Sequence, residues 1–229
     1  MISFQNVTKT YKTKTQSIDA VDKVSFDIKE GEFVSIVGKS GAGKTTLIKL
    51  LTGCEKPTNG KVMFKGADIG KSSSHSLQKM RRKIGIIFQD YKLLETRTVL
   101  ENLRYIMEII GVSDTSIERD VSRVLDIVGL EERCSNFPCD LSGGEQQRLA
   151  IARALIHRPD VIIADEPTGN LDLYNAHEII NLFKKVNDLG ATVILATHDK
   201  GVITKLKKRV ITLDKGMVIS DDPVGKFII

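Results

Sequence analysis

The 229 residues carry 34 Lys and Arg against 29 Asp and Glu, a net charge of +5, with 41% hydrophobic and 5% aromatic residues. A chain of this length buries most of its apolar surface without cross-links, and three cysteines lacking a Cys-x-x-Cys pair, with four scattered histidines, exclude a disulfide framework and a zinc module. No stretch approaches the roughly 20 apolar residues of a membrane span and residues 1–6 form no leader, so a soluble, cytoplasmic chain is expected, whose positive charge suits an anionic partner without choosing one.

In chain order, β-type patterns are read at residues 2–7, 24–28, 33–37, 61–64, 84–88, 161–165, 192–196 and 209–214. The first two differ in kind from the last ones. Val24, Phe26 and Ile28 alternate with Ser25 and Asp27, as in a half-exposed antiparallel sheet, whereas "VIIAD" and "TVILAT" are unbroken apolar runs, as in parallel strands covered on both faces. An α/β fold with a parallel core and an N-terminal antiparallel subdomain is therefore expected. Residues 71–76, rich in serine, read as a solvated loop. From 98 to 144 the pattern is helical, with Val99, Leu103, Ile106, Met107 and Ile110 and then Val121, Val124, Leu125 and Val128 at helical spacing, so a helical insert is expected there.

Between the strand at 33–37 and the apolar-periodic residues after it lies "GKSGAGKT". Gly38, Gly43, Lys44 and Thr45 meet the pattern G-x-x-x-x-G-K-[ST] in the strand–loop–helix context that gives it meaning. Glycines let successive backbone N–H groups turn around an anion, and the helix N-terminus adds partial positive charge. Lys44 can reach the outer phosphates of a nucleoside triphosphate and Thr45 can ligate Mg²⁺. Kinases, GTPases, motors and transporters share this loop, so it identifies what binds and not why.

"VIIADEPTGNLD" puts Asp165 and Glu166 at the carboxyl edge of a parallel strand, where ligands of open α/β sheets collect. Two adjacent carboxylates there make sense if Asp165 faces Mg²⁺ and Glu166 an attacking water. "ILATHD" ends another apolar strand in His198, a polar tip able to hydrogen-bond a phosphate or that water. In "LSGGEQQRLAIARAL", Ser142 caps a helix with the stripe Leu149, Ile151, Ala152 and Leu155, and Gly143 and Gly144 leave N–H groups bare at its positive end. Two anion sites but one lysine cradle suggest that this second end meets the nucleotide of another copy.

Taken together, "GKSGAGKT", Gln89 in "IIFQD", "LSGGEQQR", "IIADEP", "NLD" and "ATHD" resemble, in order and spacing, the ATP-binding-cassette (ABC) ATPases. The resemblance spans nearly the whole chain. It implies one ATP-binding domain over 1–229, with a helical subdomain over about 90–145 that ends in the signature. It also implies ATP and Mg²⁺ as cofactors and an ATP-bridged, head-to-tail homodimer. By position, Gly38, Lys39, Ser40, Gly41, Ala42, Gly43, Lys44, Thr45 and Thr46 would cradle phosphate, with Thr45, Gln89 and Asp165 at the metal. Glu166 would be the general base, Gln89 and His198 would attend the γ-phosphate, and Tyr11 would lie against adenine. Ser142, Gly143, Gly144 and Asp172 would sit at the dimer seam. Within the family, "MISFQNVTKTY", "GIIFQDYKLLETRTVLENL" and "FPCDLSGGEQQRLAIARA" resemble the cell-division branch. That implies an FtsX-like integral membrane partner, a location peripheral to the inner face of the cell membrane, and a signal to cell-wall hydrolases, with Tyr91, Leu93 and Leu94 beside Lys92 and Arg97 where helices of the partner would dock. "DEPTGNLD" is shared with lipoprotein-release and macrolide exporters, which remain an alternative; nucleic-acid-acting and ribosome-acting relatives carry inserts or second cassettes absent here. The basic run 205–209 reads as a solvated helix end or a headgroup contact, and the tail "SDDPVGKFII" has no assigned role.

Overall fold

Val24, Phe26 and Ile28 are buried while Ser25 and Asp27 are exposed, the alternation that one-sided cover imposes on a strand. In the computed structural model, which describes residues 1–13 and 15–225, the chain forms two units, Met1–Arg81 with the chain from Gly190 onward, and Arg82–Leu189. The first unit opens with β1 (Ile2–Lys12), β2 (Ser17–Ile28), β3 (Phe33–Val37), α1 (Lys44–Leu51), β4 (Asn59–Phe64), β5 (Ala67–Asp68) and α2 (Ser74–Arg81). An antiparallel sheet runs in the order β2-β1-β4-β5. Its register sets Phe4 opposite both Phe26 and Val62, and the Phe4 and Phe26 rings stack with centroids 4.6 Å apart, the kind of cross-strand aromatic pair that stabilises a sheet face.

The second unit contains β6 (Ile84–Ile87), α3 (Val99–Ile109), α4 (Asp114–Val128), α5 (Gly143–Leu155), β7 (Val161–Asp165) and α6 (Leu173–Asp188). β6 and β7 pair in parallel, Ile84 opposite Val161. The helical insert forms as its spacing requires. Thr98 and Glu101 make a capping box on α3, Val99, Leu103 and Met107 are buried, and α4 buries Ile117, Val121, Val124, Leu125 and Val128 before ending at Gly129 in the left-handed region (φ 66°). Asn102, fully buried, secures the approach to α3: its amide accepts from the Leu94 N–H (2.9 Å) and donates to the carbonyls of Leu94, Arg97 and Thr98 (3.1, 3.0 and 3.0 Å).

Back in the first unit, β8 (Thr192–Thr197) and β9 (Arg209–Asp214) flank β3, both parallel to it, with α7 (Lys200–Leu206) between them in sequence and β10 (Met217–Asp222) antiparallel to β9. β3 and β8 are buried at every position, which is why their sequences show no alternation.

Several elements depart from the sequence reading. Residues 74–81 are helix, begun by the Ser73 hydroxyl accepting from the Ser76 N–H (3.3 Å), but no residue of it is buried, so apolar periodicity was too weak to reveal it. β5 and β10 were not expected. Both follow two-residue hairpin turns, Lys65-Gly66 and Lys215-Gly216, in which each residue has positive φ, the type I′ geometry that a glycine in second place favours. The tail assigned no role supplies β10 through Asp222; residues 226–229 lie outside the described residues. The basic run divides: Leu206 is buried and Lys207 is the left-handed cap of α7. Arg209 donates to both oxygens of Asp221 (2.7 and 2.6 Å), to Glu32 (2.9 Å) and to the Asp27 carbonyl (2.7 Å). Cys54, Cys134 and Cys139 are free thiols.

Arg209, its charge favoured first by Asp221 and then by Glu32, bonds to two carboxylates and a backbone carbonyl. Arg209→Met is expected to lower unfolding free energy by about 2–3 kcal/mol, the worth of charged hydrogen bonds lost from a half-covered site. Asp221→Asn, at a more exposed partner, should cost less than about 1 kcal/mol; urea unfolding of the two variants checks the ranking.

Candidate functional site

The phosphate-type loop leaves β3 at Gly38 and enters α1 at Lys44. It has no room for side chains at two points. A Cβ on Gly38 would lie 2.5 Å from the Leu213 carbonyl oxygen, and one on Gly43 would lie 2.5 Å from that of Ala20. Gly43 also has φ 109°, open only to glycine at low cost. The unexpected hairpin braces this loop. The Gly216 N–H donates to the Ala42 carbonyl (3.1 Å) and its own carbonyl accepts from Asp22 (2.9 Å). Lys44 is buried, with its ammonium donating to the carbonyls of Gly38 (2.8 Å) and Lys39 (3.4 Å), while Lys39, Ser40 and Thr45 are exposed and Thr46 is half-buried. Tyr11 stands on β1 opposite Ile18 with the Lys9 ammonium 5.0 Å from its ring centroid. His198 is exposed just past β8, followed by Asp199, which caps α7 by accepting from Gly201 and Val202 (2.7 and 3.2 Å).

In the second unit, Asp165 ends β7 and Glu166 follows with φ 50°, a conformation uncommon outside glycine and concentrated at functional sites. Gln89 lies beside this loop. A Cβ on Gly169 would be 3.1 Å from the Gln89 side-chain nitrogen, and the Asn170 amide donates to the Gln89 carbonyl (3.1 Å). Asp172 is the N-cap of α6, accepting from the Asn175 backbone (2.9 Å) and side chain (2.6 Å), bonds that hold its carboxyl below the usual range. The Asn175 amide so fixed presses on the signature turn: a Cβ on Gly144 would fall 2.3 Å from its oxygen. Ser142 caps α5 as expected, in a capping box with Glu145. Tyr91, expected among docking residues, is half-buried, its hydroxyl 3.7 Å from where a Cβ on Gly143 would stand. Leu100, Tyr105 and Ile109 on α3 are exposed apolar residues.

Asn170, Asn175 and Arg153 were not singled out from sequence. Asn170 and Asn175 lie inside or just after a recognised motif, and Asn175 stands three residues past Asp172, the spacing of an N-cap and its first-turn partner. Arg153 carried no signal beyond a helical position.

Glu145 accepts from the Ser142 N–H and hydroxyl (both 2.8 Å) and from Arg133 (2.9 Å), and its carboxyl is drawn from 4.5 to about 2, first by the Ser142 backbone bond. A depressed carboxyl adds stability above its unfolded value and loses it as pH falls toward the folded one. The stability advantage of the wild type over Glu145→Gln is therefore expected to hold constant above about pH 5.5 and to shrink as pH falls from 4.5 toward 2. Chemical denaturation across that range measures it, and a gap independent of pH would remove the charge from the cap.

Comparison with known proteins agrees with this geometry. The family model described as ABC transporter matches residues 21–169. The cell-division ATP-binding protein FtsE of Streptococcus pneumoniae serotype 2 is 44% identical over 227 residues, covering 99% of this chain and 97% of that protein. The methionine import ATP-binding protein MetN 3 of Oceanobacillus iheyensis is also 44% identical, over 98% of this chain but 66% of that protein. Among solved structures, the dimeric post-hydrolysis state of the ATP-binding cassette MJ0796, bound to ADP and Pi, superposes with a TM-score of 0.88 at 38% identity, covering 99% of this chain and 100% of that one. The fold is thus shared end to end with an ATP-binding cassette, and the chain belongs to the ABC transporter family as an ATP-binding, ATP-hydrolysing subunit.

Proposed function

We propose that this ATPase drives a cell-division complex of the FtsE type, acting as an ATP-bridged homodimer on an FtsX-like integral membrane protein at the inner face of the membrane. The observation that carries this reading is the 44% identity to the cell-division protein over 99% of this chain and 97% of that protein. Among the described residues no helix is long and apolar enough to cross a membrane, in keeping with a subunit recruited by a partner.

The residues fit ATP and Mg²⁺. Gly43 takes a φ of 109° that glycine reaches at low cost, and Lys44 adds a buried cation whose ammonium lies on the carbonyl of Gly38, a glycine-rich loop with a lysine of the kind that binds phosphate. Gly38, Lys39, Ser40, Gly41, Ala42, Gly43, Lys44 and Thr46 hold phosphate, and Tyr11 meets the adenine. Thr45, Gln89 and Asp165 are oxygen donors of the kind Mg²⁺ prefers. The metal, when bound, neutralises phosphate charge and orients the γ-phosphoryl group. Glu166 takes the proton of the attacking water, His198 and Gln89 orient the γ-phosphate, and Ser142, Gly143, Gly144 and Asp172 meet the second copy. This reading treats 1–229 as one ATP-binding domain whose helical part, about 90–145, receives the membrane partner.

For docking, α3 presents Leu100, Tyr105 and Ile109 to solvent beside a shallow cavity of about 190 Å³ lined by Arg97, Glu101, Arg104, Tyr105 and Glu108. Apolar side chains among charges of both signs suit an amphipathic helix.

Glu166→Gln keeps size and hydrogen bonding but loses basicity, so phosphate release is expected to fall by about a hundredfold or more while ATP and Mg²⁺ yield a persistent dimer on size-exclusion chromatography. Near-normal turnover would place the base elsewhere. Arg97→Glu combined with Tyr105→Asp is expected to leave ATP binding intact and to abolish capture of the FtsX-like protein from detergent-solubilised membranes; wild-type capture would move the docking surface off α3.

A further inference from the structure

The chain after β6 takes an unusual course. Tyr91 and Lys92 both have positive φ, 57° and 53°, in immediate succession, and neither is glycine. Each conformation costs free energy, so contacts from outside the turn must hold it. Part of the hold is local: Lys92 pairs with Asp90 at 2.6 Å, and its N–H donates to the Asp90 carbonyl at 2.5 Å. That pair is exposed and adds little. The rest comes from Arg153 on α5. Its guanidinium donates through Nη2 to the Tyr91 carbonyl (2.9 Å) and through Nη1 to the Lys92 carbonyl.

Among the described residues Arg153 makes no ion pair, and burial lowers its affinity for its proton. A half-buried cation committed to two carbonyls and no carboxylate is costly unless that geometry is needed. What those carbonyls fix is the segment that begins at Gln89. From the other side Asn170, in the loop after Glu166, holds the Gln89 carbonyl at 3.1 Å. The same helix that carries Arg153 begins at the signature turn, ten residues or about 15 Å earlier. The Tyr91 hydroxyl lies beside that turn at Gly143. One helix therefore grips the left-handed turn at its far end and begins beside the Tyr91 hydroxyl at its near end.

We propose that Arg153 is a positioning residue for ATP hydrolysis: by clamping the carbonyls of Tyr91 and Lys92 it holds residues 89–92 in their left-handed turn and keeps Gln89 in register with the signature helix and the Glu166–Asp172 loop. The proposal rests on the reading of Gln89 as the residue that orients the γ-phosphate.

Glycine supplies the discriminating test, because it enters the left-handed region without help. In the full-length protein with saturating ATP and Mg²⁺, Arg153→Met is expected to lower kcat on the order of tenfold to a hundredfold, as small misplacements of catalytic groups do, with nucleotide affinity changed by no more than about threefold. Arg153→Lys, which has the charge but not the planar fork, should fall between. Adding Lys92→Gly to Arg153→Met should recover kcat to within about threefold of wild type. Wild-type kcat in Arg153→Met, or a loss that follows thermal stability and is not recovered by Lys92→Gly, overturns the proposal. If Arg153→Met does not fold, Arg153→Lys with and without Lys92→Gly gives the same comparison. Gln89→Ala separates the two levels. Normal turnover by Gln89→Ala removes the role of Gln89 and the proposal with it, whereas slow Gln89→Ala beside normal Arg153→Met removes the clamp alone.

Discussion

A phosphate site made of backbone N–H groups works only if the peptide chain itself, and not its side chains, faces the ligand. Everything in the first unit answers to that constraint. Gly38 and Gly43 lie so close to the carbonyls of Leu213 and Ala20 that no Cβ fits, and the loop between them is braced by Gly216 through the Ala42 carbonyl. The brace comes from a hairpin more than 170 residues later in the chain. On its other flank the loop runs into α1, whose Leu47, Ile48, Leu50 and Leu51 are buried and anchor the positive end of the helix in place. Lys44, with its ammonium on the Gly38 carbonyl, is held at the loop before any anion arrives. Preorganisation of this kind reduces what binding must spend on ordering the chain.

The second unit is arranged differently, around α5. Its apolar face, Leu149, Ile151 and Ala152, is fully buried, and its two ends meet loops that regular secondary structure does not hold. Polar side chains take over there. Asn102 fixes the approach to α3, Asp172 and Asn175 set the start of α6 against Gly144, Asn170 secures Gln89, and Arg153 grips the turn at 91–92. Asn102, Asp172, Asn170 and Arg153 bond to backbone and so specify a path of the main chain, while the Asn175 side chain holds the Asp172 carboxyl. Three of the non-glycine residues with positive φ, Tyr91, Lys92 and Glu166, fall in these loops. Conformations of this kind are concentrated at functional sites.

For a cassette that works on a membrane protein, these links have a thermodynamic meaning. If ATP favours one arrangement of the Gln89 segment and docking on α3 favours the same one, each ligand strengthens the other by an equal factor. Asn102 binds the carbonyls of Leu94, Arg97 and Thr98, and so joins the segment after Lys92 directly to α3, the helix proposed for docking.

Sequence by itself determined the class of the fold, most of the strands and the helical insert, because each leaves a local mark. Burial on both faces makes β3 and β8 unbroken apolar runs, the helical insert repeats every three to four residues, and an anion cradle needs glycines and a lysine at fixed offsets. Even the overlooked β10 had its mark, since Asp-Lys-Gly before it is a hairpin signal of the type I′ turn. Only tertiary structure decided the rest. That Gly216 supports the loop at Ala42 through its backbone, that Asn175 packs on Gly144, that the Tyr91 hydroxyl lies beside the signature turn and that Arg153 holds a left-handed turn 61 residues away are contacts made on the backbone between segments distant in the chain. Such contacts have no period and no fixed spacing. They exist only once the apolar faces have packed and brought those backbones together.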